Sequence, residues 1–210
     1  MRRICFGELG GLMIKTVSRC IDILFVFVVC TLVLILTYVL YDTVVVANSS
    51  ELEEDIAVIE PKKDGDDFNF DELKRLNSNI VGWIRIDDTN INYPVLQTDD
   101  NSYYLSRNYR DEFSVAGSIF LDYRDDILLD DFLIIYGHRM SYGKMFSDVT
   151  KYAEQGFFND HLNGALYSED AVFGLEAIGF AKISANEKDI YGIHRNTDKI
   201  ISILKQKSYY

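Results

Sequence analysis

Residues Ile23 to Leu40 read ILFVFVVCTLVLILTYVL, eighteen consecutive positions without a charged side chain. As a helix rising about 1.5 Å per residue, such a run is close to the shortest that crosses the hydrocarbon of a bilayer. It is apolar on every face, whereas a helix packed against a globular core keeps a polar face. The run therefore reads as an uncleaved membrane anchor, extended through Tyr41 and Val44. A cleaved signal peptide fits less well, because the stretch is long and no small-x-small cleavage site follows it cleanly.

The charges beside this run orient it. Before it stand four basic residues (Arg2, Arg3, Lys15, Arg19) and two acidic ones (Glu8, Asp22). Basic residues close to a span stay on the cytoplasmic side, which places residues 1–22 inside as a short tail and the remainder outside. The sequence from Tyr41 onward is strongly acidic and the whole 210-residue chain carries a net charge of -12, which argues against nucleic acid as a partner. All three cysteines, Cys5, Cys20 and Cys30, fall in the tail or the span. The exported part therefore has neither a disulfide nor a thiol nucleophile of its own.

Four segments result: a tail at 1–22, a transmembrane anchor at 23–44, an acidic stalk at 45–68 and a folded domain at 69–210. In the last, Phe70, Leu73 and Leu76 share one helical face behind an acidic first turn, predicting a short helix that ends near Asn77 to Asn79. β-Branched and aromatic runs predict strands at Gly82 to Ile86, Ile91 to Leu96, Ala116 to Leu121, Phe132 to Tyr136 and Ala171 to Ile183. Helical spacing recurs at Lys144 to Phe158 and Asp198 to Lys205. The domain is mainly β, a barrel or sandwich decorated by helices.

The apolar run Phe132 to Tyr136 leads straight into Gly137 and His138. An imidazole at a strand's end sits where rigid scaffolds build sites, and it can take or give a proton near neutrality. His138 is the candidate catalytic residue. His161 and His194 read as exposed loop residues. No Cys/His spacing suits zinc, and the acidic stretch Asp122, Asp125, Asp126, Asp130 and Asp131 lacks the spacing and glycine of a calcium loop, so it reads as a solvated turn. Neither a metal nor a cofactor is expected.

Five blocks in order then carry a resemblance: Asn79-Ile80-Val81-Gly82-Trp83-Ile84, Thr89 to Gln97, Asp100-Asn101-Ser102-Tyr103-Tyr104-Leu105, Gly117 to Arg124, and Ile134-Ile135-Tyr136-Gly137-His138. Together they resemble the class B sortases, strongly over Phe70 to Phe158 and loosely over Ala165 to Lys205. The resemblance implies a membrane-anchored cysteine transpeptidase of a Gram-positive cell surface, built as an eight-stranded β barrel with peripheral helices. Its implied partners are secreted proteins bearing a C-terminal sorting signal of Asn-Pro-x-Thr or related type, and an amine of the peptidoglycan precursor or cross-bridge. In the implied chemistry a Cys thiolate attacks the scissile Thr carbonyl to form a thioester, a His protonates the leaving amine, and an Arg steadies the oxyanion or the peptide. The Tyr-Gly-His context assigns the His role to His138.

The sequence departs from that family at one decisive place. The family's Thr-Leu-Ser-Thr-Cys-like segment and the Arg on the strand after it have no counterpart here: no cysteine follows Cys30 and no arginine follows Arg195. Cys30 lies within the apolar run and cannot serve. The expectation is an incomplete, C-terminally truncated barrel whose final strands are absent, an exposed apolar edge at Phe132 to Tyr136, and no catalysis by the chain as it stands. The alternative is a non-catalytic, membrane-tethered peptide-binding remnant.

Overall fold

The computed structural model describes residues 6–49, 56, 59–61, 68–192 and 196–209. Two units separate, Met1–Val45 and Val46–Tyr210.

The first unit is helical. Helix α1 runs Phe6–Ser49, and its stretch Met13–Val44 is long and apolar enough to cross a membrane. The hydroxyls of Thr31, Thr37 and Thr43 donate to the carbonyls of Val28, Leu34 and Val39 one turn back. Each of these three hydroxyls is thereby satisfied within its own helix.

The second unit opens with helix α2 (Phe70–Leu76), whose Phe70 and Leu73 are buried as the spacing predicts. Strands β1 (Ile80–Ile86), β2 (Asn92–Leu96), β3 (Ile119–Leu121) and β4 (Ile135–Tyr136) follow. After helix α3 (Gln155–Asp160) come β5 (Asn163–Tyr167) and β6 (Val172–Glu176), then helices α4 (Lys188–Tyr191) and α5 (Thr197–Lys207). The six strands form one curled half-barrel sheet in the order β4-β3-β2-β1-β5-β6. All pairs are antiparallel except β2 with β3. Both β4 and β6 are edges of this sheet among the described residues.

Side chains alternate across the sheet, so neighbouring residues feed two cores. On one face Trp83, Leu96, Phe120 and Tyr167 pack with Phe70 and Leu73 of α2. On the other, Ile84, Val95, Ile119, Leu121 and Leu166 pack with Met145. Residues preceding α2 join the first face: Ile56 is fully buried there, Arg85 Nη1 donates to the Pro61 carbonyl at 3.1 Å, and Asn92 Nδ2 to Glu60 Oε2 at 2.7 Å. The acidic positions 51, 53–55, 64, 66 and 67 lie outside the described residues.

The structure corrects several expectations. The segment 144–158 is not one α-helix; a 3-10 helix spans Phe146–Ala153 and α3 begins only at Gln155. The strand expected over 171–183 ends at Glu176, and β5 lies where none was expected. The Phe132 to Tyr136 run pairs only through its last two residues, yet Phe132 to Tyr136 are half-buried, because Leu133 and Ile135 lean on the second core and Tyr136 stacks on Phe120 at 5.2 Å. His161 is not an exposed loop residue: it stacks on Phe157 at 3.8 Å, and its Nδ1 lies 2.8 Å from the Phe157 carbonyl. His194 and Arg195 lie outside the described residues.

Candidate functional site beside His138

Strand β4 ends at Tyr136, and His138 follows Gly137 just past the strand's end. A side chain at Gly137 would collide with Ile119 Cδ1 and with Phe146 Cδ2, the latter at 2.7 Å, so a larger residue there has to push these two side chains aside. The loop folds back on itself: Phe146 N donates to the His138 carbonyl at 3.0 Å, Arg139 bridges Met145, and Ser147 Oγ bonds the Met140 carbonyl. Met145 N also donates to the buried Tyr93 hydroxyl at 3.0 Å. These ties hold the imidazole on a fixed base.

His138 Nε2 lies 2.8 Å from the Leu105 carbonyl. A carbonyl only accepts, so Nε2 carries a proton and donates it there. Leu105 closes a 3-10 turn, Tyr103–Leu105, which Asp100 caps by accepting from Ser102 N and Tyr103 N at 2.6 and 2.8 Å. Tyr104, 1% exposed, anchors that turn: its hydroxyl donates to Asp111 and accepts from Asn77 and Asn79. Burial raises the Tyr104 phenol to about 12, so it remains a neutral donor. Gly117, at φ +60°, lets the next loop pass the Tyr104 carbonyl, where a Cβ would come within 2.6 Å.

Leu105 and Tyr136 also form part of the wall of a cavity of about 400 Å³, completed by Asn101, Phe120, Ala185 and Tyr191. Behind it stands Asp122, fully buried rather than part of a solvated turn. Arg124 grips both of its oxygens, Nε to Oδ1 at 2.7 Å and Nη2 to Oδ2 at 2.6 Å. Oδ2 further accepts from the Tyr136 hydroxyl at 2.9 Å and Asn101 Nδ2 at 3.0 Å. Burial alone would raise the Asp122 pKa; these donors overcome it and hold the carboxyl well below the usual carboxylate range. Burial and the bond to Asp122 push the Tyr136 phenol up. Asp125 is also buried, its Oδ2 accepting from Ile134 N at 2.7 Å. The two aspartates left the solvent because the β3–β4 connection uses them to satisfy its own backbone and Arg124.

The sequence placed His138 at a strand end but did not reveal the Leu105 carbonyl or the walls around it. Asn101 and Tyr136 lay within the quoted blocks, where their identity gave a signal; Tyr191 gave none. Among the described residues no three His, Cys, Asp or Glu side chains are placed to hold a metal. Cys20 and Cys30 lie on α1.

The fold is shared by solved structures. Sortase B from Listeria monocytogenes superposes with a TM-score of 0.59 at 37% identity, over 68% of this chain and 83% of that one. The chain belongs to the class B sortases. A Staphylococcus aureus sortase B–substrate complex aligns with a TM-score of 0.63 at 30% identity, over 67% of each chain. By sequence, a Listeria monocytogenes sortase B is 50% identical over 91 residues, which is 43% of this chain and 37% of that protein. The matched stretch thus spans well under half of that curated relative. No family model matches the sequence.

Proposed function

We propose that the domain serves sortase B-type transpeptidation, binding the C-terminal sorting signal of a secreted protein in the cavity beside His138. The single observation that carries this reading is the juxtaposition of His138, fixed through Leu105, with a cavity that Leu105 itself helps to wall. On this reading the scissile amide comes to lie beside His138 as proton donor, which is what expulsion of an amine requires. The substrate complex of the Staphylococcus aureus relative supports a peptide as occupant. Helix α1 supports tethering to a membrane, with the basic tail inside and the domain outside the cell, where a sorting signal and a cell-wall amine of a Gram-positive surface meet.

In the complete reaction a thiolate adds to the Thr carbonyl, the C–N bond breaks as His138 gives its proton to the departing amine, and a cell-wall amine then displaces the thiol from the thioester. Residues 31–210 contain no cysteine, so these residues supply the cavity and the proton donor but not the nucleophile. On this reading residues 1–210 bind signal peptide without turning it over.

The test uses the full chain in detergent micelles with a fluorescein-labelled Asn-Pro-Ala-Thr peptide. Saturable anisotropy with no cleavage product by mass spectrometry is expected. Absence of saturable binding would refute the peptide reading, and cleavage that a thiol-blocking reagent stops would refute the inactive one.

A further inference from the structure

Three of the cavity's walls come from chain segments far apart in sequence: Asn101 from the loop after β2, Tyr136 from β4, and Tyr191 from α4. All three are tied to one ion pair. Asp122 Oδ2 accepts from Asn101 and Tyr136. Arg124 spends Nε and one side of Nη2 on Asp122, and turns Nη1 to the Gly192 carbonyl at 2.6 Å, with Nη2 also 3.4 Å from the Tyr191 carbonyl. We infer that Asp122 and Arg124 act as a positioning pair that sets the shape of the cavity beside His138, with Arg124 fastening the Tyr191 wall, through Asp122 and the Tyr136 hydroxyl, to β4, the strand that leads into the histidine.

Magnitudes favour this tie over the others that hold α4. That helix has four residues and buries one side chain, Ile190, so its own helical stability is negligible. Its ion pairs to α5, Lys199 with Asp189 at 2.6 Å and Lys207 with Glu187 at 3.4 Å, lie in solvent, where each is worth well under about 1 kcal/mol. Arg124 is 19% exposed and Asp122 not at all, and a charge-assisted bond to a carbonyl in such surroundings is roughly twice as strong as a neutral one. The guanidinium fork is needed because it serves the carboxylate and the carbonyl simultaneously. A lysine ammonium, a single point of charge, keeps the ion pair and loses the second reach.

The functional consequence rests on the peptide reading of the cavity; the positioning itself does not. Arg124→Lys in the full micellar chain separates them. Hydrogen exchange of residues 185–192 should accelerate about tenfold with β1 and β2 unchanged, and the dissociation constant of the labelled Asn-Pro-Ala-Thr peptide should rise about tenfold, the loss expected for one charge-assisted hydrogen bond. Exchange that is unchanged at 185–192, or faster throughout the domain to the same degree, overturns the positioning role. Faster local exchange with unaltered peptide affinity overturns its link to binding. If the wild-type chain fails to bind the peptide, the proposed function falls while the exchange result still decides the pair. Should Arg124→Lys not fold, Tyr136→Phe carries the test, since it removes one hydroxyl from Asp122 and no charge. About threefold weaker peptide binding together with faster exchange at 185–192 than in β1 and β2 supports the inference, and unchanged exchange at 185–192 overturns it.

Discussion

The middle of the sheet and its β6 edge are built from similar residues and end up in opposite surroundings. In β1 and β2, Ile80, Trp83, Val95 and Leu96 are wholly buried, because each strand has a partner on both sides and a core on both faces. In β6, Val172 is 62% exposed, and beyond the strand Ile178 is 87% exposed. Among the described residues that strand pairs only with β5, so its apolar side chains find strand contacts on one flank there. A β-branched run predicts a strand, and only its neighbours decide whether the strand is interior. The β4 edge falls between the two: Tyr136 owes its partial burial to stacking on Phe120 and to the hydroxyl bond with Asp122.

The sharpest way to test that contrast is to remove side chains from each region and follow unfolding of the full chain in micelles by near-ultraviolet circular dichroism. Trp83→Ala should cost most, about 4 kcal/mol, since it empties a fully buried site and orphans the Asn92 oxygen that accepts from Nε1 at 2.7 Å. Asp122→Asn should follow at about 3 kcal/mol, because it leaves Arg124 without its counter-charge in a largely desolvated place. Gly137→Ala should cost about 2 kcal/mol through its clash with Ile119 and Phe146, and it should weaken binding of the Asn-Pro-Ala-Thr peptide more than its effect on stability explains. Ile178→Ser should change stability by no more than about 0.5 kcal/mol. If Ile178→Ser instead rivalled Trp83→Ala, the β6 region would be interior and the contrast would fail.

Acid sharpens the same comparison. The Asp122 pKa is depressed in the folded state below its ordinary 3.8, so its stabilisation is complete above that value and is lost as pH falls through the folded one. An acid titration of the wild type should therefore show a stability loss beginning below about pH 4 that Asp122→Asn largely lacks. Equal acid sensitivity of the two proteins would show that other carboxylates govern the effect. Asp148 contributes in the same sense, its carboxyl lowered against the cost of burial by Asn90 and Lys151.

Much of this arrangement was legible in the residues. The helix of the first unit, the face of α2, and strands β1 to β3 follow from periodicity, and the Tyr-Gly-His placement follows from an apolar run that stops at a glycine. Strand β5 escaped because Asn163-Gly164 reads as a turn and Ala165 has little strand preference; it is a strand because β1 offers it a ladder from Trp83 to Ile86. The 3-10 winding of Phe146–Ala153 escaped for a related reason, since it shares the spacing of apolar residues with an α-helix over so short a length. Asp122 looked like solvent-facing charge because its partners, Asn101, Arg124 and Tyr136, are gathered from three segments of the chain.

The sequence by itself determined the apolar helix, the alternation that makes the sheet, and the presence of a histidine without a cysteine anywhere in residues 31–210. These are properties of composition and local period, which do not depend on what a residue meets. Tertiary structure alone decided that the Leu105 carbonyl receives His138, that Tyr191 walls the cavity, and that the Asp122–Arg124 ion pair became a buried brace. Each of those contacts joins residues at least two apart and most join separate elements, so the energy that selects them appears only when the chain has folded and water has been excluded between them.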